Sequence, residues 1–198
     1  MKTLFIILSI SLFAFTSDNN EHYATVEKVL GVPFFVFSKP VSGYDIVGKA
    51  MSFSDMLKMA TDTKSSIRKK AEKIVEIAQK RVKDEKISVF DALIVELEND
   101  KVRAIKFKSE ISQKAKIDNY DNLAVYFFNE PDEEYEVTTQ LKADYSLRAE
   151  RSGMLFDKIH SMVKRTLKKK ENGEVEKFDA IIINPDDLSE KLIRFKNN

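Results

Sequence analysis

Hydrophobic and polar positions fall into a small number of patterns along this chain. Val32-Pro33-Phe34-Phe35-Val36-Phe37-Ser38 and Leu123-Ala124-Val125-Tyr126-Phe127-Phe128-Asn129 are almost continuously apolar, as a strand covered on both faces requires. Pro40 and Pro131 close these runs, because a residue without an N–H interrupts a ladder. Between residues 67 and 82 the apolar positions are Ile67, Ala71, Ile74, Val75, Ala78 and Val82, the stripe of one helical face. Phe90-Asp91-Ala92-Leu93-Ile94-Val95 is a second buried strand. It is followed by Ile105 and Phe107 alternating with Lys106 and Lys108, the mark of a half-buried strand.

The same order recurs further along. The first run and Tyr44-Asp45-Ile46 return 91 residues later, ending in Tyr135-Glu136-Val137. The helix stripe returns after 88 residues as Leu155, Ile159, Met162, Val163 and Thr166, and the later strands return as Phe178-Asp179-Ala180-Ile181-Ile182-Ile183 and Leu192-Ile193-Arg194-Phe195. The expected fold is therefore α+β: two tandem duplicated ββαββ-like repeats, each a small sheet with one long amphipathic helix. The expected division is a signal peptide at 1–17, a lead-in at 18–31, repeats at 32–108 and 123–198, and a linker at 109–122, which has few large apolar residues.

Lys2 precedes an apolar run from Leu4 to Phe15, after which the chain turns polar at Thr16-Ser17-Asp18, the layout of a secretory leader. The run is too short to span a bilayer, which needs roughly 20 residues. Small or aliphatic residues stand at several cleavage positions between Leu12 and Ser17, so the exact site is open. Asp18 stands where a lipoprotein would carry its acylated cysteine, so no lipid anchor of that kind is expected. Without Lys2 the 33 basic residues become 32, level with the 32 acidic ones, and the exported protein has no bulk field to attract nucleic acid. The absence of cysteine and the presence of only two histidines remove thiol chemistry and His-based zinc cages.

Lys39-Pro40, Tyr44-Asp45, Phe90-Asp91-Ala92-Leu93-Ile94 and Ile105-Lys106-Phe107 together resemble a group of short secreted bacterial proteins of uncharacterised function; in the second copy Glu130 replaces the lysine. A looser similarity is to small domains described as putative heavy-metal-binding, which also pair a helix with an Asp-Ala-aliphatic strand. Phe90 and Phe178 stand where those domains carry Ala after Gly, and no cysteine or histidine cluster accompanies them, so the metal function does not carry over. Neither resemblance supplies a catalytic residue.

Four residues stand out as candidates, with binding rather than catalysis in view: Asp91 and Asp179 at the starts of matching buried strands, and Tyr44 and Tyr135 at matching strand starts after the prolines. A carboxylate at a strand entrance serves local hydrogen-bond donors, and a tyrosine there packs its ring and wets its hydroxyl. The stretch Asn129, Glu130, Asp132, Glu133, Glu134 and Glu136 supplies oxygens that suit calcium but lacks the alternating loop that wraps it, and the basic run Lys164–Lys170 suits a helix C-terminus. No Gly-rich phosphate loop, nucleophile elbow or zinc-helix motif is present. These features lead to the expectation of an exported, periplasmic or extracellular, non-enzymatic protein that binds a protein, peptide or envelope component, without cofactor, metal, nucleic acid or transmembrane segment. The competing expectations are a hydrolase using Asp91 and Asp179 across the repeats, and a small-ligand or metal carrier.

Overall fold

The computed structural model describes residues 21–51, 55, 66–96, 101–120, 122–147 and 155–196, so the expected leader lies outside the described residues. In the first half, β1 (Tyr23–Val26), β2 (Lys28–Val29), β3 (Val32–Val36), β4 (Ser38–Pro40) and β5 (Tyr44–Lys49) precede helix α1 (Ile67–Lys83), and β6 (Ala92–Glu96) and β7 (Lys101–Phe107) follow it. In the second half, β8 (Lys114–Ile117), β9 (Asn119–Tyr120), β10 (Leu123–Phe127), β11 (Asn129–Pro131) and β12 (Tyr135–Leu141) precede α2 (Leu155–Glu171), followed by β13 (Ala180–Ile183) and β14 (Glu190–Phe195).

This architecture overturns the expected pair of small ββαββ units. Of the described residues, 42% lie in strands and 23% in helices, and the strands form three multi-stranded sheets. Two sheets are five-stranded, in the orders β2-β3-β6-β7-β5 and β9-β10-β13-β14-β12. Their pairings correspond: β3 lies parallel to β6 as β10 does to β13, and the edge strands β5 and β12 shift register at Ile46/Gly48 and Val137/Thr139. The third sheet, ordered β11-β1-β8-β4, belongs to neither half, because β1 pairs with β8 and β11 while β4 pairs with β8. The lead-in and the linker of the sequence reading hold the two inner strands of this sheet, β1 and β8.

The physical reason is the backbone at Phe37 and Phe128. Both take left-handed φ values, 51° and 59°, and so break each long apolar run into two strands that enter different sheets. An L-residue in this region costs about 1–2 kcal/mol. The bend turns each carbonyl toward the other half: Glu27 N–H donates to Phe128 O at 2.8 Å, and Asp118 N–H donates to Phe37 O at 2.9 Å. Phe128 is also buried edge-on against Phe34, with ring centroids 5.3 Å apart. Between the two bends, Asn129 Nδ2 donates to Val36 O at 3.3 Å and to Ser38 Oγ at 3.4 Å.

Strand alternation distributes the core. Phe34, Val36, Leu93 and Ala104 in the first half and Val125, Phe127, Ile181 and Leu192 in the second face the helical layer, joining one cluster with Ala71, Ile74, Val75, Ile159, Met162 and Val163. The alternate residues face the central sheet, where Val26 and Ala115 meet Phe35, Ile94 and Ile105, and Ala24 and Ile117 meet Tyr126, Ile182 and Phe195. Each five-stranded sheet is thus covered on both sides. Tyr23, Thr25, Lys114 and Lys116 occupy the outer face of the central sheet.

The helices end alike. Asp84 N–H donates to Lys80 O, Glu85 N–H to Val82 O and Lys86 N–H to Arg81 O; Asn172, Gly173 and Glu174 repeat these bonds on α2. This is the Schellman arrangement, whose left-handed residue is Glu85 (φ 56°) on α1 and Gly173 (φ 70°) on α2. At the start of α1, the Ser66 side chain accepts from Lys69 N–H at 3.3 Å. No described helix is long and apolar enough to cross a membrane.

Candidate functional site

Asp91 and Asp179 occupy matching corners. Asp91 N–H donates to Ile105 O at 2.8 Å while its carboxylate Oδ2 accepts from Phe107 N–H at 2.9 Å. Asp179 N–H donates to Ile193 O at 2.8 Å, and its Oδ2 accepts from Phe195 N–H at 3.0 Å. Each aspartate therefore extends a ladder past the first residue of its strand and holds the neighbouring strand in register. Tyr44 and Tyr135 stand opposite the same two phenylalanines, Phe107 and Phe195, and pack on the cores there. The Tyr135 hydroxyl donates to Glu130, and burial together with that carboxylate pushes the phenol up to about 12. The structure therefore joins each candidate Tyr to the Asp of its own sheet. Among the described residues no hydrogen bond joins Asp91 to Asp179, which sit in different five-stranded sheets.

The acidic stretch is dispersed over separate partners: Asp132 takes Thr25 and Lys114, Glu133 takes His22, Glu134 takes Lys196 and Glu136 takes Arg194. Among the described residues no group of three or more His, Asp or Glu side chains is placed to hold a metal ion. In the basic run, Arg165 and Lys169 pair with Asp144; burial opposes ionisation of that carboxyl, but the two cations outweigh it and hold it below its usual range. Lys170 caps Phe178 O at 2.9 Å and lies over the Phe178 ring. His160 packs edge-on against Tyr120, with desolvation and Lys164 lowering its affinity for a proton.

The Thr166–Glu190 pair and Tyr126 escaped the sequence reading as chemistry, and Asn129 entered it only beside the acidic stretch. Thr166 Oγ1 donates to the Glu190 carboxylate at 2.6 Å between α2 and β14, and both residues are buried. Burial pushes the Glu190 carboxyl up, against the hydrogen bond from Thr166 and the charge of Lys169. The corresponding first-half positions are Ala78 and Val102, so the second half carries an acid where the first carries a methyl pair. Tyr126 is fully buried with a hydroxyl that finds no partner among the described residues, and desolvation raises its proton affinity. Asn129 is 4% exposed, and its Oδ1 finds no donor among the described residues.

Two surface features could receive a partner. An open cleft of about 160 Å³ lies at the carboxyl ends of the parallel strands β10 and β13, lined by Phe128, Asn129 and Asn184, by Arg68 from α1 and by Lys191 from β14. Arg68 bridges the halves, donating to Glu27 at 2.9 Å and to Asp186 at 2.8 Å; Glu27 foremost raises its already high proton affinity. The second feature is the pair of outer edges. β5 and β12 are six and seven residues long, no described strand pairs with their outer sides, and Ile46 and Val137 stand 53% and 42% exposed at matching positions. Around β5 the surface is more apolar: Val41 and Val89 are exposed where the second half carries Asp132 and Lys177.

The fold and its surface define a three-sheet protein whose halves exchange lead-in strands and whose candidate tyrosines and aspartates are engaged in strand pairing. Compared with protein-family models, curated proteins and solved structures, the chain matches none.

Proposed function

We propose that this chain is an exported, non-enzymatic binding protein whose partner is an extended polypeptide segment, received at the outer edge strands and foremost at β5. The observation that carries the reading is the recurrence of an exposed β-branched residue, Ile46 or Val137, on each long edge with which no described strand pairs. An edge strand offers free backbone donors and acceptors to an added strand, and side chains beside it provide selectivity. Val41 and Val89 near the Tyr44 corner would supply apolar contacts to alternate residues of such a segment. Against a hydrolase across the halves stands the engagement of Asp91 and Asp179 in backbone hydrogen bonds of separate sheets.

A selection of random seven-residue peptides against the mature protein tests the reading, with fluorescence anisotropy on the recovered peptides. Ile46→Lys is expected to weaken binding about tenfold or more, which corresponds to about 1.4 kcal/mol. Peptides that bind Ile46→Lys and Val137→Lys as well as the parent, or no peptide above background, would overturn it.

A further inference from the structure

The near-neutral charge of the whole chain conceals a division between its two poles. The inner face of the central sheet covers one side of both five-stranded sheets and the helices cover the other, so the outer face of the helical layer lies opposite the outer face of the central sheet. Helix α1 carries seven lysines and arginines against Glu72 and Glu76, and α2 carries six against Asp157 and Glu171. The helices thus hold an excess of nine positive charges in a chain whose formal net charge is +1, and the remainder is acidic by eight. The poles also pair their cations differently. On the central sheet Lys39 meets Asp118, Lys114 meets Asp132 and Lys116 meets Glu21. On the helices Lys69, Lys73, Lys80 and Lys83 of α1 and Lys164 and Lys168 of α2 are exposed and make no ion pair among the described residues. At 3.6 residues per turn the four on α1 fall within an arc of about 80°, a stripe about 21 Å long. Burial of Ala71, Ile74, Val75 and Ala78 on the opposite side turns that stripe outward. The helix dipole favours Lys80, Lys83 and Lys168 near the C-termini, but it opposes Lys69 in a first turn that has no acid. Lys69 with Lys73, and Lys164 with Lys168, are like charges four residues apart, which weaken a helix.

We propose that the outer face of the helical layer docks on the surface of an anionic phospholipid bilayer, held against the headgroups by charge alone. Every exposed residue described on the two helices is charged, apart from Gln79, so the face offers no apolar group to enter the acyl region. The same residues include no aromatic ring on which a base could stack, which disfavours a single-stranded nucleic acid. The lysines are spread over two helices of one layer, and a broad field of charge matches a surface of phosphates better than the single groove that tracks a linear polyanion. None of these lysines lies on β5 or β12, so the edges remain open while the face is docked.

Co-sedimentation of the mature protein with sucrose-loaded vesicles tests this. Vesicles of phosphatidylcholine and phosphatidylglycerol in equal parts are expected to carry the protein down at low ionic strength, and vesicles of phosphatidylcholine alone are not. Salt at about 1 M, where the Debye length is about 3 Å, is expected to release it. Each lysine near such a surface contributes a factor of about five in affinity. The combined variant Lys69→Gln, Lys73→Gln, Lys80→Gln and Lys83→Gln is therefore expected to bind about a hundredfold more weakly or worse, and Lys164→Gln with Lys168→Gln about twentyfold. All six positions are exposed and glutamine suits a helix, so the variants should keep the far-UV spectrum of the parent. Lys39→Gln with Lys116→Gln, on the opposite pole, is expected to bind as the parent does. Equal binding to both kinds of vesicle, binding indifferent to salt, or parent affinity in the four-lysine variant would overturn the proposal. So would failure to bind phosphatidylglycerol vesicles, and binding of a labelled oligonucleotide in that case would reassign the face to a soluble polyanion.

Discussion

Replacing Glu190 by Gln is expected to stabilise the protein at neutral pH and to leave it unchanged in acid. Glu190 is 1% exposed, and its carboxyl has one hydrogen-bond donor, the Thr166 hydroxyl. Gln keeps an acceptor for that hydroxyl and removes the charge. The folded-state pKa is raised by burial, with Asp144 adding to the shift and Thr166 and Lys169 opposing it. The acid therefore contributes its full stability below its unfolded pKa, the ordinary glutamate value near 4.5, and loses it as pH rises through the folded pKa. Each unit of separation is worth about 1.4 kcal/mol. Replacement of a buried ion pair by neutral residues of similar volume is often neutral or stabilising by about 1–4 kcal/mol, and removal of one charge here, with Lys169 nearby, places the expectation at the lower end, about 1–2 kcal/mol at pH 7. Urea unfolding of parent and Glu190→Gln from pH 4 to pH 8 measures it. Curves that coincide in acid and separate progressively toward neutrality are expected. A variant less stable than the parent at pH 7, or a constant difference at every pH, would refute the assignment of the burden to a desolvated carboxylate.

Other expectations concern the helix ends, the corner aspartates and the leader. Glu85→Gly places the permissive residue at the left-handed position that Gly173 already fills in α2, and should raise thermal stability by about 0.5–1 kcal/mol; Gly173→Ala should lower it by a similar amount, since its Cβ would meet nothing within 4 Å and only the φ of 70° opposes it. Asp91→Asn and Asp179→Asn should cost about 1 kcal/mol or less in urea unfolding, whereas the alanine variants should cost about 1–3 kcal/mol, and alanine variants as stable as the parent would remove the structural role. Mass spectrometry of the protein recovered from the producing cell should find an N-terminus between Phe15 and Asn19, and retention of Met1 would exclude cleavage.

Much of the β-structure and both helix stripes were legible because burial on two faces leaves an unbroken apolar run and burial on one helical face leaves a stripe. The Phe-Asp-Ala strands and the alternation at Ile105 and Phe107 lie where the patterns put them. The central sheet was not legible for a specific reason. Its β8 reads Lys-Ala-Lys-Ile, which alternates correctly, but Ala115 buries completely with one methyl and gives no hydrophobic signal. The bends at Phe37 and Phe128 were equally hidden, because neither Gly nor Asn marks the left-handed positions. The corner roles of Asp91 and Asp179 could be read from their place at strand entrances. The cleft could not, since Arg68, Asn129 and Lys191 come from distant parts of the chain and meet only through the exchanged strands.

The exchange also gives the differences between the halves their meaning. β1 lies between β11 and β8, so the inner face of the central sheet is complete only when both lead-in strands are in place. The residues at the bends and corners serve that shared frame, and there the halves match: Phe37 with Phe128, Asp91 with Asp179, Tyr44 with Tyr135. Two of the departures lie around β13, β14 and α2. Arg103 and Glu96 give way to Lys191 and Asn184, and Val102 and Ala78 give way to Glu190 and Thr166. The first substitution removes an ion pair, and the second places an acid where packing alone asks for a methyl group. Both changes leave polar groups less well satisfied than their counterparts, a cost that stability alone does not favour. The exposed apolar residues around β5 make the first half the place to look for a polypeptide partner.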